Sequence, residues 1–180
     1  PVEAEFTAID NAFAAWQNVA RGCSDFEFVR GPRITNPKVG RGSQEDNVVT
    51  FREENCRDAV PLTDPCQSDG SCGNKFKCWE HGDATIALTT STYSTRTGVV
   101  FDSDIEFNAG ASADGARFLF TTISSPPCVE GMESPFCTAY DIQNTATHEI
   151  GHFVGLDHVN GATSTMAPTA PLGDLQKRVI

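Results

Sequence analysis

The segment His148-Glu149-Ile150-Gly151-His152-Phe153-Val154-Gly155-Leu156-Asp157-His158 constrains the fold of this chain more than any other. On a helix, His148 and His152 are four residues apart and share one face, about one turn from each other. Two imidazoles at that separation can reach one zinc ion, with nitrogen-to-metal distances of about 2.0–2.1 Å. Glu149 follows the first of them, where a carboxylate can touch a metal-bound water without occupying the metal. Gly155 is placed to stop the helix and reverse the chain, because glycine takes positive φ at no steric cost. His158, just past that turn, can then supply a third nitrogen. Three protein ligands leave a fourth position open, the mark of a catalytic zinc rather than a structural one. The chain has four histidines, and three of them fall inside these eleven residues.

This run resembles the signature of the metzincin zinc peptidases, H-E-x-x-H-x-x-G-x-x-H followed by a Met-turn. Met166 lies eight residues after His158, within Ser164-Thr165-Met166-Ala167-Pro168. That short interval, and the proline two residues after the methionine, look most like the matrixin branch. Astacins usually carry Glu after the third histidine and adamalysins usually Asp, whereas this chain has Val159. Serralysin-like enzymes share the Gly-Leu-x-His stretch but usually continue into glycine-rich calcium-binding repeats, which are missing here. The likeness is tight over residues 141–168 and loose elsewhere, and it fits a bacterial-type, matrixin-like peptidase.

Composition narrows the setting. At 180 residues the chain is long enough for a sizeable core, and it is expected to form one domain. A net charge of −11 argues against nucleic acid or an anionic membrane as partner. No stretch approaches the roughly 20 apolar residues of a membrane span. No signal peptide is recognisable, and a chain that starts at Pro1 reads as a mature or trimmed form. Seven cysteines suggest loops stapled by disulfides and hence a secreted, extracellular protein. Cys66, Cys72 and Cys78 recur every six residues in an Asp-, Gly- and Ser-rich segment, and Cys128 and Cys137 bracket a Pro/Gly loop. A second zinc site made of thiolates is the other reading of the same cysteines. The odd count leaves one cysteine over, and the pairing cannot be read from sequence.

Phe6, Ile9, Phe13 and Trp16 recur at helical spacing and predict an amphipathic helix over 3–20, with these aromatics facing a core. Phe26–Val29 and Val48–Phe51 are strand candidates, as is Ala84–Tyr93. Between Glu54 and Gly82 no periodicity survives, and four cysteines sit there. Val99–Asn108 alternates, with Phe101, Ser103, Ile105 and Phe107 on one face and Asp102, Asp104, Glu106 and Asn108 on the other; this pattern predicts one buried face and one solvated face. Phe118–Ile123 is a further short strand candidate. Thr138-Ala139-Tyr140-Asp141 fits a capping box opening a helix that runs to about Val154 and carries His148 and His152.

The resemblance implies an α+β, metzincin-like domain: a twisted mixed sheet with two main helices and an irregular C-terminal subdomain. It spans 1–180, with the sheet and zinc helix up to about residue 155 and the Met-turn in about 156–180. It also implies a zinc endopeptidase, a monomer acting on proteins or peptides, in which Glu149 activates a zinc-bound water for attack on a peptide carbonyl. Met166 would form the floor beneath the metal. Pro168 would line the pocket for the substrate side chain after the cleaved bond. The strand holding Ala87 and Leu88 corresponds to the sheet edge on which substrate docks. Two departures stand out. The histidines that animal matrixins use for a second, structural zinc are absent apart from His81, which is therefore read as a surface loop residue. Asp102, Asp104 and Glu106 resemble an acidic strand that could take Ca2+, although any solvated strand face shows the same pattern, and that is the reading preferred here. The competing functions are a serralysin-like peptidase and a catalytically silent binding module that keeps zinc for folding only.

Overall fold

The computed structural model describes residues 2–40, 46–110, 118–122, 139–161 and 163–180. The chain divides into two compact units, one made of Pro1–Arg33 with Leu119–Ile180 and the other of Ile34–Phe118. Helices and a mixed sheet give the expected α+β class.

The first unit is built on two helices that pack together, α1 (Glu3–Ala20) and α5 (Ile142–Phe153). The stripe Phe6, Ile9, Phe13 and Trp16 is half-buried, while the small residues Ala8 and Ala12 are the fully buried ones of α1. The Trp16 indole N–H donates to the Thr147 carbonyl of α5 at 2.7 Å, which satisfies the polar end of a large apolar side chain. Phe13 meets Phe28 and Phe153 edge-on, and Phe28 is tilted against Phe153, with centroids 4.9–6.0 Å apart. A short parallel pair, β6 (Phe120–Thr121) with β7 (Tyr140–Asp141), leads into α5.

The expected strand at Phe26–Val29 is not formed. This segment has no strand partner among the described residues; the Gln17 side chain serves instead, donating to the Phe26 carbonyl at 2.9 Å and accepting the Phe28 N–H at 2.7 Å. A side-chain amide offers the same donor and acceptor as a peptide unit, so the alternating apolar residues of the segment are kept without a ladder.

In the second unit β1 (Val49–Arg52) runs parallel to β5 (Val100–Asn108), and β4 (Ala87–Tyr93) runs antiparallel to β5 on its other side. Ile105 and Phe107 are buried, and Phe107 stacks on Phe51 at 4.6 Å, as their register requires. The solvated face expected for β5 is overturned: Asp102, Asp104, Glu106 and Asn108 are all buried. Protein donors take up the Asp104 and Glu106 carboxylates. Asp104 accepts the Gly40 N–H at 2.7 Å and the Val48 N–H at 2.8 Å, yet burial still pushes its carboxyl up to about 6. Glu106 accepts from Arg52 Nε at 2.5 Å and faces His81 Nε2 at 3.0 Å. Burial alone would raise the Glu106 carboxyl, but those two neighbours outweigh it and hold the group below its usual range. His81 is accordingly a half-buried member of this cluster, edge-on to Trp79 at 4.8 Å, and not the surface loop residue expected.

The aperiodic stretch contains the short elements β2 (Glu54–Asn55), α2 (Cys56–Ala59), α3 (Cys66–Asp69), α4 (Cys72–Phe76) and β3 (Cys78–Trp79), with β2 parallel to β3. Disulfides Cys56–Cys78 and Cys66–Cys72 join them, so these four cysteines are not a thiolate metal site. The bridged sulfurs pack with Val60, Ala59 and Phe76 into a small core. Cys23 is free and exposed; Cys128 and Cys137 lie outside the described residues.

Candidate metal centre

Helix α5 starts three residues later than the capping box at Thr138 would set it. Asp141 is the N-cap, and its Oδ1 accepts the Asn144 N–H at 2.7 Å. Thr138, the first residue of that expected box, lies outside the described residues. The helix ends where Gly155 adopts φ +92°, a conformation that a residue with a Cβ rarely takes. The Gly155 N–H donates to the His152 carbonyl at 2.8 Å and the Leu156 N–H to the Gly151 carbonyl at 2.9 Å, closing the last turn and reversing the chain. His158 follows, its backbone N–H bound to Asp157 Oδ1 at 2.7 Å.

The three histidines meet at one point. His158 Nε2 lies 3.2 Å from His148 Nε2 and 3.1 Å from His152 Nε2. The far sides of two rings are tied down: His148 Nδ1 is 2.7 Å from the Thr165 carbonyl, and His152 Nδ1 is 2.8 Å from the Leu156 carbonyl. A carbonyl can only accept, so both Nδ1 atoms carry the proton and both Nε2 atoms present lone pairs. Two lone pairs aimed at a third imidazole nitrogen cannot all be satisfied by one shared proton. A Lewis acid at their meeting point satisfies all three. Tetrahedral ligands about 2.0–2.1 Å from one ion sit roughly 3.3 Å from each other, close to the spacing found. The residues present therefore fit zinc. Burial drives the His148 imidazole down to about 4, against which the Thr165 carbonyl works weakly, and burial also lowers His158. His148 is thus neutral at pH 7, as a metal ligand must be.

Glu149 is buried next to His148 on the helix. Met166 is buried directly against the helix: a Cβ added to Gly151 would come within 2.1 Å of the Met166 sulfur and 3.0 Å of Trp16 Cζ2. A tight turn holds the methionine, with the Met166 N–H on Ser164 Oγ at 3.1 Å and the Ala167 N–H on the Ser164 carbonyl at 3.0 Å. The Val159 N–H binds the Met166 carbonyl at 3.0 Å and ties this turn to the residue after His158. Pro168 is exposed, just beyond. Ala87 (buried) and Leu88 (half-buried) are in the other unit, on β4.

The carbonyls of Thr165 and Leu156, the indole of Trp16 and the side chain of Lys177 were not foreseen as parts of this centre. A carbonyl's role leaves no trace in residue type. Lys177, in a polar tail, reads as a solvated charge.

A family model described as Matrixin matches residues 2–178. Comparison with curated proteins and with solved structures gave no match.

Proposed function

The chain belongs to the matrixin family, and from that premise we propose that it is a secreted zinc endopeptidase with His148, His152 and His158 as ligands and Glu149 as general base. The observation that carries this reading is the convergence of three Nε2 atoms within 3.2 Å, with the rings of His148 and His152 fixed from behind by backbone carbonyls. Such partners fix tautomer and ring direction before any ion arrives.

Zinc, when bound there, acidifies water and polarises a carbonyl oxygen. The Glu149 carboxylate takes a proton from the attacking water as its oxygen bonds to the peptide carbonyl carbon. The same carboxyl then returns the proton to the departing amide nitrogen as the C–N bond breaks. His148 and His152 keep their Nδ1 protons on the Thr165 and Leu156 carbonyls throughout. Met166, as the family's Met-turn residue, gives the three imidazoles an apolar floor. Pro168 borders the pocket for the side chain after the cleaved bond. Ala87 and Leu88, on a strand at the edge of its sheet among the described residues, offer main-chain groups to an extended substrate.

Two disulfides support a location outside the cytoplasm, and among the described residues no helix is long and apolar enough to cross a membrane. The match over residues 2–178 supports a peptidase acting on proteins or peptides; we take residues 1–180 as one catalytic domain, with the Met-turn in its C-terminal part, acting as a monomer. Incubation with casein tests the activity: cleavage that a zinc chelator stops is expected, and cleavage that persists in chelator contradicts the proposal.

A further inference from the structure

Lys177 sits in the 3-10 turn Gln176–Arg178 and is 3% exposed. Its ammonium donates to the Ala167 carbonyl, and no other acceptor for it is found among the described residues. Its backbone N–H donates to Asn144 Oδ1 at 2.7 Å, one helical turn before His148. The neighbouring residues add to this grip. Arg178 binds both carboxylate oxygens of Asp141, the N-cap of α5, with Nε at 2.8 Å from Oδ1. Thr165 Oγ1 donates to the Val179 carbonyl at 2.9 Å. Residues 177–179 thus hold helix α5 at two points and the turn Thr165–Ala167 at two points.

A buried ammonium with one acceptor among the described residues is a poor choice for stability. Its desolvation is costly, and a methionine or leucine of similar volume usually packs at least as well. Burial lowers the Lys177 ammonium while the carboxylates of Asp174 and Glu149 oppose this, so the cation lies within electrostatic reach of the base. What the charge does here is fix a carbonyl. Ala167 is two residues after Thr165, whose own carbonyl orients the His148 ring.

We propose that Lys177 is a positioning residue for the metal centre: by clamping the Ala167 carbonyl to the Asn144 side chain, it holds the Thr165 carbonyl in place on His148 Nδ1. This inference rests on the zinc reading above. The Thr165 carbonyl, bonded to the His148 ring itself, is a partner of the kind worth about 10- to 100-fold in metal affinity.

The test is the zinc dissociation constant, measured by competition with a chromogenic chelator, of the unaltered chain, Lys177→Met and Lys177→Arg, together with the visible spectrum of each protein loaded with Co2+. Lys177→Met is expected to bind zinc about 10- to 100-fold more weakly, with an altered cobalt spectrum, and Lys177→Arg to recover part of the loss. A folded Lys177→Met with the original zinc constant and cobalt spectrum overturns the proposal, whatever happens to its melting temperature. If Lys177→Met does not fold, hydrogen exchange in the unaltered chain decides. Coupling is reciprocal, so zinc must slow exchange of the Lys177 amide more than that of the α1 amides. An equal effect on both overturns the proposal. An unaltered chain that binds no zinc overturns the endopeptidase reading as well, which separates the two failures.

Discussion

Two adjacent residues, His148 and Glu149, have different tasks, and their environments separate them. The ring of His148 is fixed from behind by a carbonyl, and Glu149, buried beside it, is the proposed proton carrier. Replacing Glu149 with Gln is expected to cut peptide turnover by about 10²- to 10⁴-fold while zinc content, read by elemental analysis, stays at that of the unaltered chain. Proton linkage gives a second residue-level outcome, in the metal-free chain. The unfolded chain protonates His148 near 6.5 and the folded one only near about 4. Its stabilising contribution is therefore complete above pH 6.5 and lost as pH falls through about 4, a change of about 3 kcal/mol. Asp104 has the opposite sign: its carboxyl is raised from 3.8 to about 6, so its contribution is complete below 3.8 and lost as pH rises through about 6. The two cancel over one window, and Asp104→Asn should expose the acid loss as a steeper fall in urea stability between pH 6.5 and 4. An unchanged slope would count against the raised Asp104 carboxyl.

At the scale of elements, α5 and the turn at Met166 act as one piece because Gly151 leaves room for the methionine sulfur. Gly151→Ala forces a Cβ into the space that sulfur fills, with an expected loss of about 1–3 kcal/mol in thermal or urea unfolding and weaker zinc retention. The two disulfides should differ in value. Cys56–Cys78 closes 22 residues and Cys66–Cys72 closes 6, so chain entropy assigns about 3 and about 2 kcal/mol to them. Replacing each pair by serine and comparing urea midpoints checks that order. The elements also show what the sequence could and could not convey. Helix 3–20 and the zinc helix were legible because apolar spacing and ligand spacing both obey the 3.6 period. The strand at Phe26–Val29 was not, because a single glutamine amide took the place of a neighbouring strand. The acidic residues of β5 were read as wet because alternation records polarity alone. Partners as distant in sequence as Arg52 and Val48 neutralise or bind them inside the core.

Across the whole molecule, the site was more legible than its supports. His148, His152 and His158 were named from one eleven-residue run, and the structure brings their Nε2 atoms together. The shell that aims them comes from the Leu156 turn, the Thr165–Ala167 turn and the tail at Lys177, and it works through backbone carbonyls that any residue could supply. The central claim, that these histidines hold one zinc for peptide hydrolysis, is tested most directly by adding zinc stepwise to the metal-free chain and following cleavage of a mixed peptide library by mass spectrometry. Cleavage is expected to rise with added zinc and level off at one ion per chain, and to vanish in chelator. A folded chain that binds one zinc at these histidines and leaves every peptide intact would contradict the account.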